Sequence, residues 1–100
     1  NEDKDLLKYL QQWVKQYPQE PVCHYNRAFV LAEKKQVDEA IEEYTKAINL
    51  APKYSKARYN LALLYVQKKK PLEAKAQLMR FIEDSSGPEK EQAATLLKTL

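Results

Sequence analysis

One hundred residues make at most one domain. With 44% hydrophobic and 31% charged residues the chain is composed to fold rather than to stay disordered. A net charge of +3 is too slight to mark a nucleic-acid binder, and the single cysteine, Cys23, rules out an internal disulfide.

One cysteine fits the cytosol and leaves other compartments open. No apolar run approaches the roughly 20 residues of a membrane-crossing helix. The opening Asn1-Glu2-Asp3-Lys4-Asp5 is charged, lacks a signal-type apolar stretch and has no initiator Met, so the expectation is a piece of a longer protein or a mature form. Gly87 is the sole glycine, and the prolines stand apart at Pro18, Pro21, Pro52, Pro71 and Pro88. That spacing predicts long helices and short joints, and no stretch alternates as a strand would.

The first segment, 3–17, places Leu6, Leu7, Leu10, Trp13, Val14 and Tyr17 on one helical face, with Asp3 and Asp5 in a first turn that favours negative charge. Pro18 ends it. Pro21 opens a second helix carrying Tyr25, Ala28, Phe29, Leu31 and Ala32. Lys34-Lys35-Gln36 is a turn, and Asp38 is the expected N-cap of a third helix with Val37, Ala40, Ile41, Tyr44, Ala47 and Ile48 in a clean stripe up to Pro52. A fourth helix spans 55–68 with Ala57, Leu61, Ala62, Leu64 and Tyr65. Lys68-Lys69-Lys70 is the next turn, and Pro71 opens a fifth helix running to about residue 84, with Leu72, Ala74, Leu78, Phe81 and Ile82. After Ser85-Ser86-Gly87-Pro88, Ser86 and Glu89 have capping-box spacing, and a last helix carries Ala93, Leu96, Leu97 and Leu100.

A repeat organises these elements. Tyr25 pairs with Tyr59, Asn26 with Asn60, Ala28 with Ala62 and Ala40 with Ala74, every pair at the same separation. That separation is the period, about 34 residues, of a stacked helix–turn–helix array. Ala40, Tyr44, Ala47, Leu50 and Pro52 in one copy, and Asn60, Leu61, Ala62, Tyr65 and Ala74 in the other, resemble tetratricopeptide repeats (TPRs). The likeness covers nearly the whole chain: residues 3–18 as the second helix of a preceding repeat, 21–54 and 55–88 as two repeats, 89–100 as a C-terminal or capping helix. It implies an all-α fold, a right-handed superhelical array of antiparallel hairpins with about six helices. The chain departs from the pattern at Arg27, where leucine is usual, at Lys35 and Lys69, where turn glycines are common, and at Asp84, where an apolar residue is usual. Arg27 is expected to lay its stem over the core and pair with an acid.

Chemistry-bearing constellations are few. Cys23 and His24 are neighbours and point about 100° apart on a helix, so they do not form a nucleophile–base pair. No cluster has metal-ligand spacing, one glycine cannot build a phosphate loop, and Lys68-Lys69-Lys70 reads as a solvated helix end. The expectation is a non-catalytic chain without cofactor or metal.

The resemblance implies a protein–protein interaction scaffold whose first helices line a concave groove for a peptide or a partner helix. By register the groove positions are Val22, Tyr25, Asn26, Phe29 and Glu33, then Lys56, Tyr59, Asn60, Leu63 and Gln67. Tyr25, Phe29, Tyr59 and Leu63 would supply apolar contact, and Asn26, Lys56 and Asn60 would orient the ligand. One branch of the family grips a C-terminal carboxylate with a Lys/Asn/Arg clamp. Asn26 and Lys56 match two of its places, but Asn60 stands where the arginine is expected, which argues against that mode. The alternative is a structural spacer or oligomerisation segment of a larger repeat protein, meeting its neighbours through Leu10, Trp13, Leu96 and Leu100. The expected partner is a protein or peptide, not a nucleic acid, and the chain a monomer or weakly self-associating through its end helices.

Overall fold

The structure, a computed structural model, describes the backbone of residues 2–100 and the side chains of residues 5–100. The expectation that Asp3 charges the first turn falls outside the described side chains. Six helices follow in order: α1 (Glu2–Gln16), α2 (Pro21–Glu33), α3 (Val37–Leu50), α4 (Ser55–Gln67), α5 (Pro71–Glu83) and α6 (Pro88–Lys98). There is no strand among the described residues. The chain divides into two compact units, residues 1–52 with α1–α3 and residues 53–100 with α4–α6.

Each unit is built on a helix hairpin, α2 with α3 and α4 with α5, joined by connections too short for anything but antiparallel packing. In the first unit α1 packs on α2, and Leu10, Cys23, Ala28, Leu31, Ala40, Tyr44, Ala47 and Ile48 are buried. In the second, α6 packs on α5, and Leu96, Leu97 and Leu100 lie against a cluster of Ala62, Leu78, Phe81 and Ala93. The alanines of the repeat, Ala28 with Ala62 and Ala40 with Ala74, retain no exposed surface. A methyl group at each place lets two helix backbones approach closely, and the larger side chains fill the space beside them.

Both hairpin turns reverse at a lysine. Lys35 has φ 65° and Lys69 φ 58°, the left-handed region that glycine occupies without strain. The Lys35 N–H donates to the Ala32 carbonyl at 3.0 Å and the Gln36 N–H to the Leu31 carbonyl at 2.9 Å. The second turn repeats this bond for bond: Lys69 to Val66 at 3.0 Å and Lys70 to Tyr65 at 2.9 Å. This double closure satisfies carbonyls left over at the helix end and fixes the reversal despite the strained residue.

Pro21 and Pro71 open α2 and α5 as expected, but two caps differ from expectation. The N-cap of α3 is Gln36, not Asp38, which lies inside the first turn where its charge faces the positive end of the dipole. Ser86 and Glu89 make no capping box; Gly87 caps α6 at φ 78° and ψ −156°, a conformation essentially confined to glycine. No side chain caps α2 through α6. In α2, α5 and α6 a proline at the first helical position removes one of the N–H groups that a cap would have served.

Ala40→Leu overfills the closed helix contact and is expected to cost about 1–3 kcal/mol; an unchanged melting temperature would show that the backbones have room to spare. Lys35→Gly and Lys69→Gly relieve left-handed strain, offset in part by glycine's unfolded-state entropy, for a gain of about 0.5–1 kcal/mol each in denaturant unfolding.

Candidate functional site

The sequence-predicted positions fall on one face of each hairpin's first helix. On α2 the positions 22, 25, 26, 29 and 33 share a side, and on α4 the positions 56, 59, 60, 63 and 67 do the same. Their side chains are not equally available. Phe29 is 45% exposed and Leu63 38%, and Val22 and Lys56 are also exposed. Tyr25, Asn26, Tyr59 and Asn60 are half-buried. The tyrosines are engaged within their own hairpins: Tyr25 stands edge-on to Tyr44 with ring centroids 5.7 Å apart, and Tyr59 tilts against Phe81 at 5.2 Å. Such pairs contribute about 0.5–1.5 kcal/mol beyond burial. Each tyrosine thus joins first helix to second and still presents part of its ring.

The sequence did not foretell the main polar feature of the first unit. His24 and Glu43 are 4% and 3% exposed, and they meet between α2 and α3. His24 Nδ1 lies 2.7 Å from Glu43 Oε2, and Nε2 lies 2.7 Å from the Pro18 carbonyl oxygen. A carbonyl can only accept, so Nε2 donates its proton to the Pro18 oxygen, and Nδ1 pairs with the Glu43 carboxyl group. Arg27 Nη1 donates to Glu43 Oε1 at 3.0 Å, and Lys46 Nζ approaches the same oxygen at 3.3 Å. Arg27 also reaches toward Glu39 at 3.9 Å, so the expected pairing of this residue with acids is observed. Burial opposes charge on Glu43, but the His24 hydrogen bond and the Lys46 charge outweigh it and draw the carboxyl below its ordinary value. The network ties the α1–α2 connection, α2 and α3 together.

The repeat register supplies the signal that reveals this link. His24 corresponds to Arg58 and Glu43 to Gln77, and Arg58 Nη1 donates to Gln77 Oε1 at 2.8 Å. Both hairpins carry a polar bond at this place, one ionic and one not. Cys23, beside His24, is fully buried, and burial followed by the Glu20 charge pushes its thiol up. With both ring nitrogens of His24 engaged elsewhere, the pair is not arranged for nucleophilic chemistry. No group of three His, Cys, Asp or Glu among the described residues could hold a metal ion, and none of the described helices is long and apolar enough to cross a membrane.

Residues 30–69 match the family model described as TPR repeat. The type III secretion translocator chaperone SycD of Yersinia enterocolitica is structurally similar, with a TM-score of 0.89 at 18% identity over 98% of this chain and 71% of that one. SycD in complex with a peptide of the translocator YopD gives a TM-score of 0.83 at 19% identity over 98% and 76%. The TPR2B domain of yeast Sti1, in a complex with pHsp70, gives 0.81 at 21% identity over 98% and 78%. No curated protein sequence matches the chain significantly.

Glu43 carries a pH dependence of known sign. Its folded value lies below its unfolded one, so its contribution is complete above the ordinary carboxyl range and is lost as pH falls through the folded value. Glu43→Gln is expected to cost about 3 kcal/mol at neutral pH by leaving His24 and Arg27 without their anion. The loss of melting temperature on acidification below about pH 4.3 should be shallower in the variant than in the parent. Superimposable acid profiles would mean that other carboxylates carry the effect.

Proposed function

We propose that this chain, which carries tetratricopeptide repeats and has their all-α fold, is a non-catalytic interaction scaffold that binds an extended peptide or a partner helix on the first-helix faces of its hairpins. One observation carries the reading: α2 and α4 present the same pattern one repeat apart, each with a large apolar side chain exposed, Phe29 and Leu63, beside a half-buried Tyr-Asn pair. Phe29 and Leu63 serve as apolar anchors, because Tyr25 and Tyr59 already share their rings with Tyr44 and Phe81. Asn26 and Asn60 offer amide donors and acceptors to a peptide backbone, and Lys56 adds a positive charge. Two structures of similar fold hold peptide or protein partners, SycD with a YopD peptide and Sti1 TPR2B with pHsp70, which supports the class of ligand.

The oligomerisation reading draws less support. Leu10 is buried, and Leu96 and Leu100 lie half-buried against the cluster around Phe81 and Ala93, so three of its four contact residues already pack within their own unit.

Peptides selected from a random displayed library, followed by amide chemical-shift mapping, test the proposal. Perturbations should centre on residues 22–33 and 56–67. Phe29→Glu with Leu63→Glu should weaken the selected peptide by about tenfold or more while the melting temperature holds. Shifts confined to other surfaces, or undiminished binding by the double variant, would defeat it.

A further inference from the structure

The formal charge of +3 conceals a strong asymmetry. Residues 1–52 hold seven Lys/Arg against nine Asp/Glu, a net −2, and residues 53–100 hold ten against five, a net +5. Between Lys53 and Ile82 there are eight basic residues and one acid, Glu73. Lys53, Lys56, Lys68, Lys69, Lys70 and Arg80 are exposed. Burial first, and the nearby Arg80 second, hold Arg58 below its ordinary range, against an opposing pull from Asp84.

The same hairpin exposes an apolar strip on its second helix. Leu72, Ala76 and Met79 stand at i, i+4 and i+7 of α5, on one face. Leu72 is 75% exposed and Met79 55%, and Ala76 is exposed as well. The fold does not require them there. Their counterparts one repeat earlier are Asp38, Glu42 and Thr45, so the α2–α3 hairpin forms with a polar outer face. A lone exposed leucine is ordinary. An apolar strip in register, set in a basic field where the sister hairpin has acids, is a different matter.

We propose that the outer face of α5 docks an acidic amphipathic helix of a partner protein. Its apolar stripe sits on Leu72, Ala76 and Met79, and its carboxylates face Lys69 and Lys70 at one end and Lys75 along the flank. The strip rises about 10 Å along α5, so two to three turns of a partner helix cover it. Charge complementarity selects this occupant. A nucleic acid would satisfy the lysines but leave Leu72 and Met79 uncovered. An anionic bilayer needs a longer apolar face than two large side chains provide. The strip shares no residue with the α2 and α4 positions, so the two readings are tested by different variants.

The test uses the whole chain and a synthetic helical peptide with leucines at i, i+4 and i+7 flanked by glutamates, read by fluorescence anisotropy and amide-shift mapping. The controls are a scrambled peptide of the same composition, a version with lysine for glutamate, a single-stranded DNA oligonucleotide and phosphatidylserine vesicles. The acidic amphipathic peptide should bind at least about tenfold more tightly than either peptide control, with shifts centred on residues 69–80. Leu72→Asp with Met79→Asp, and separately Lys70→Glu with Lys75→Glu, should each remove that preference; all four residues lie outside the buried core, and melting curves check that the fold persists. Equal binding of the scrambled peptide, undiminished binding by the Leu72/Met79 variant, shifts centred on α2 or α4, or tighter binding of DNA or vesicles would overturn the proposal. A peptide selected on the α2 and α4 faces should bind the Leu72/Met79 variant as well as the parent, which separates failure of this inference from failure of the first-helix reading.

Discussion

Close approach of helices at alanine is the constraint on which the rest of this molecule depends. Ala28, Ala40, Ala62 and Ala74 have no exposed surface, and each stands where a larger side chain would force two helices apart. With the backbones close, residues one or two turns away are brought face to face. Tyr25 then reaches Tyr44, and Tyr59 reaches Phe81. The turns must close tightly to keep that spacing, and they do so through paired backbone bonds that hold Lys35 and Lys69 in a conformation lysine disfavours. Two costly turn residues are tolerated because the contact they preserve is worth more.

Within that frame the hairpins are tied a second time by a polar bond between first and second helix. In one it is His24 with Glu43, buried, with both ring nitrogens engaged and with Arg27 and Lys46 also on the carboxylate. In the other it is Arg58 with Gln77, where a neutral amide suffices. A buried ion pair is seldom the most stabilising choice, since desolvation consumes much of its attraction. What the ionic version adds is reach: His24 also holds the Pro18 carbonyl, so the connection from α1 is fastened by the same group that fastens α3.

Much of the fold was legible because helical period and repeat register both survive averaging over single-residue noise. About six helices were expected and six are present among the described residues, with bounds shifted by a residue or two. The errors fell at helix starts. Asp38 and Ser86 have capping chemistry, but suitability of residue type does not fix backbone geometry, and Gln36 and Gly87 hold those places. The polar link escaped notice because His24 and Glu43 lie on different helices and neither is unusual for its own. Only the match of each to a polar residue one repeat on gives it away. The charge asymmetry was hidden by a different averaging, since −2 and +5 sum to an unremarkable +3.

Tandem repeats allow fold and function to be partly separated inside one chain. Where positions one period apart agree, the common fold is a sufficient reason. This applies even to Tyr25 and Tyr59, whose rings pack within their hairpins, and it tempers any functional weight placed on them. Where the positions disagree, the fold has been shown to accept either residue, and the choice must answer to something else. Phe29 and Leu63 differ in shape while both remain exposed. Leu72, Ala76 and Met79 differ from Asp38, Glu42 and Thr45 in polarity altogether. Packing within a hairpin cannot account for three apolar side chains that water reaches on one copy and that the other copy does without, so their explanation lies in a contact outside it.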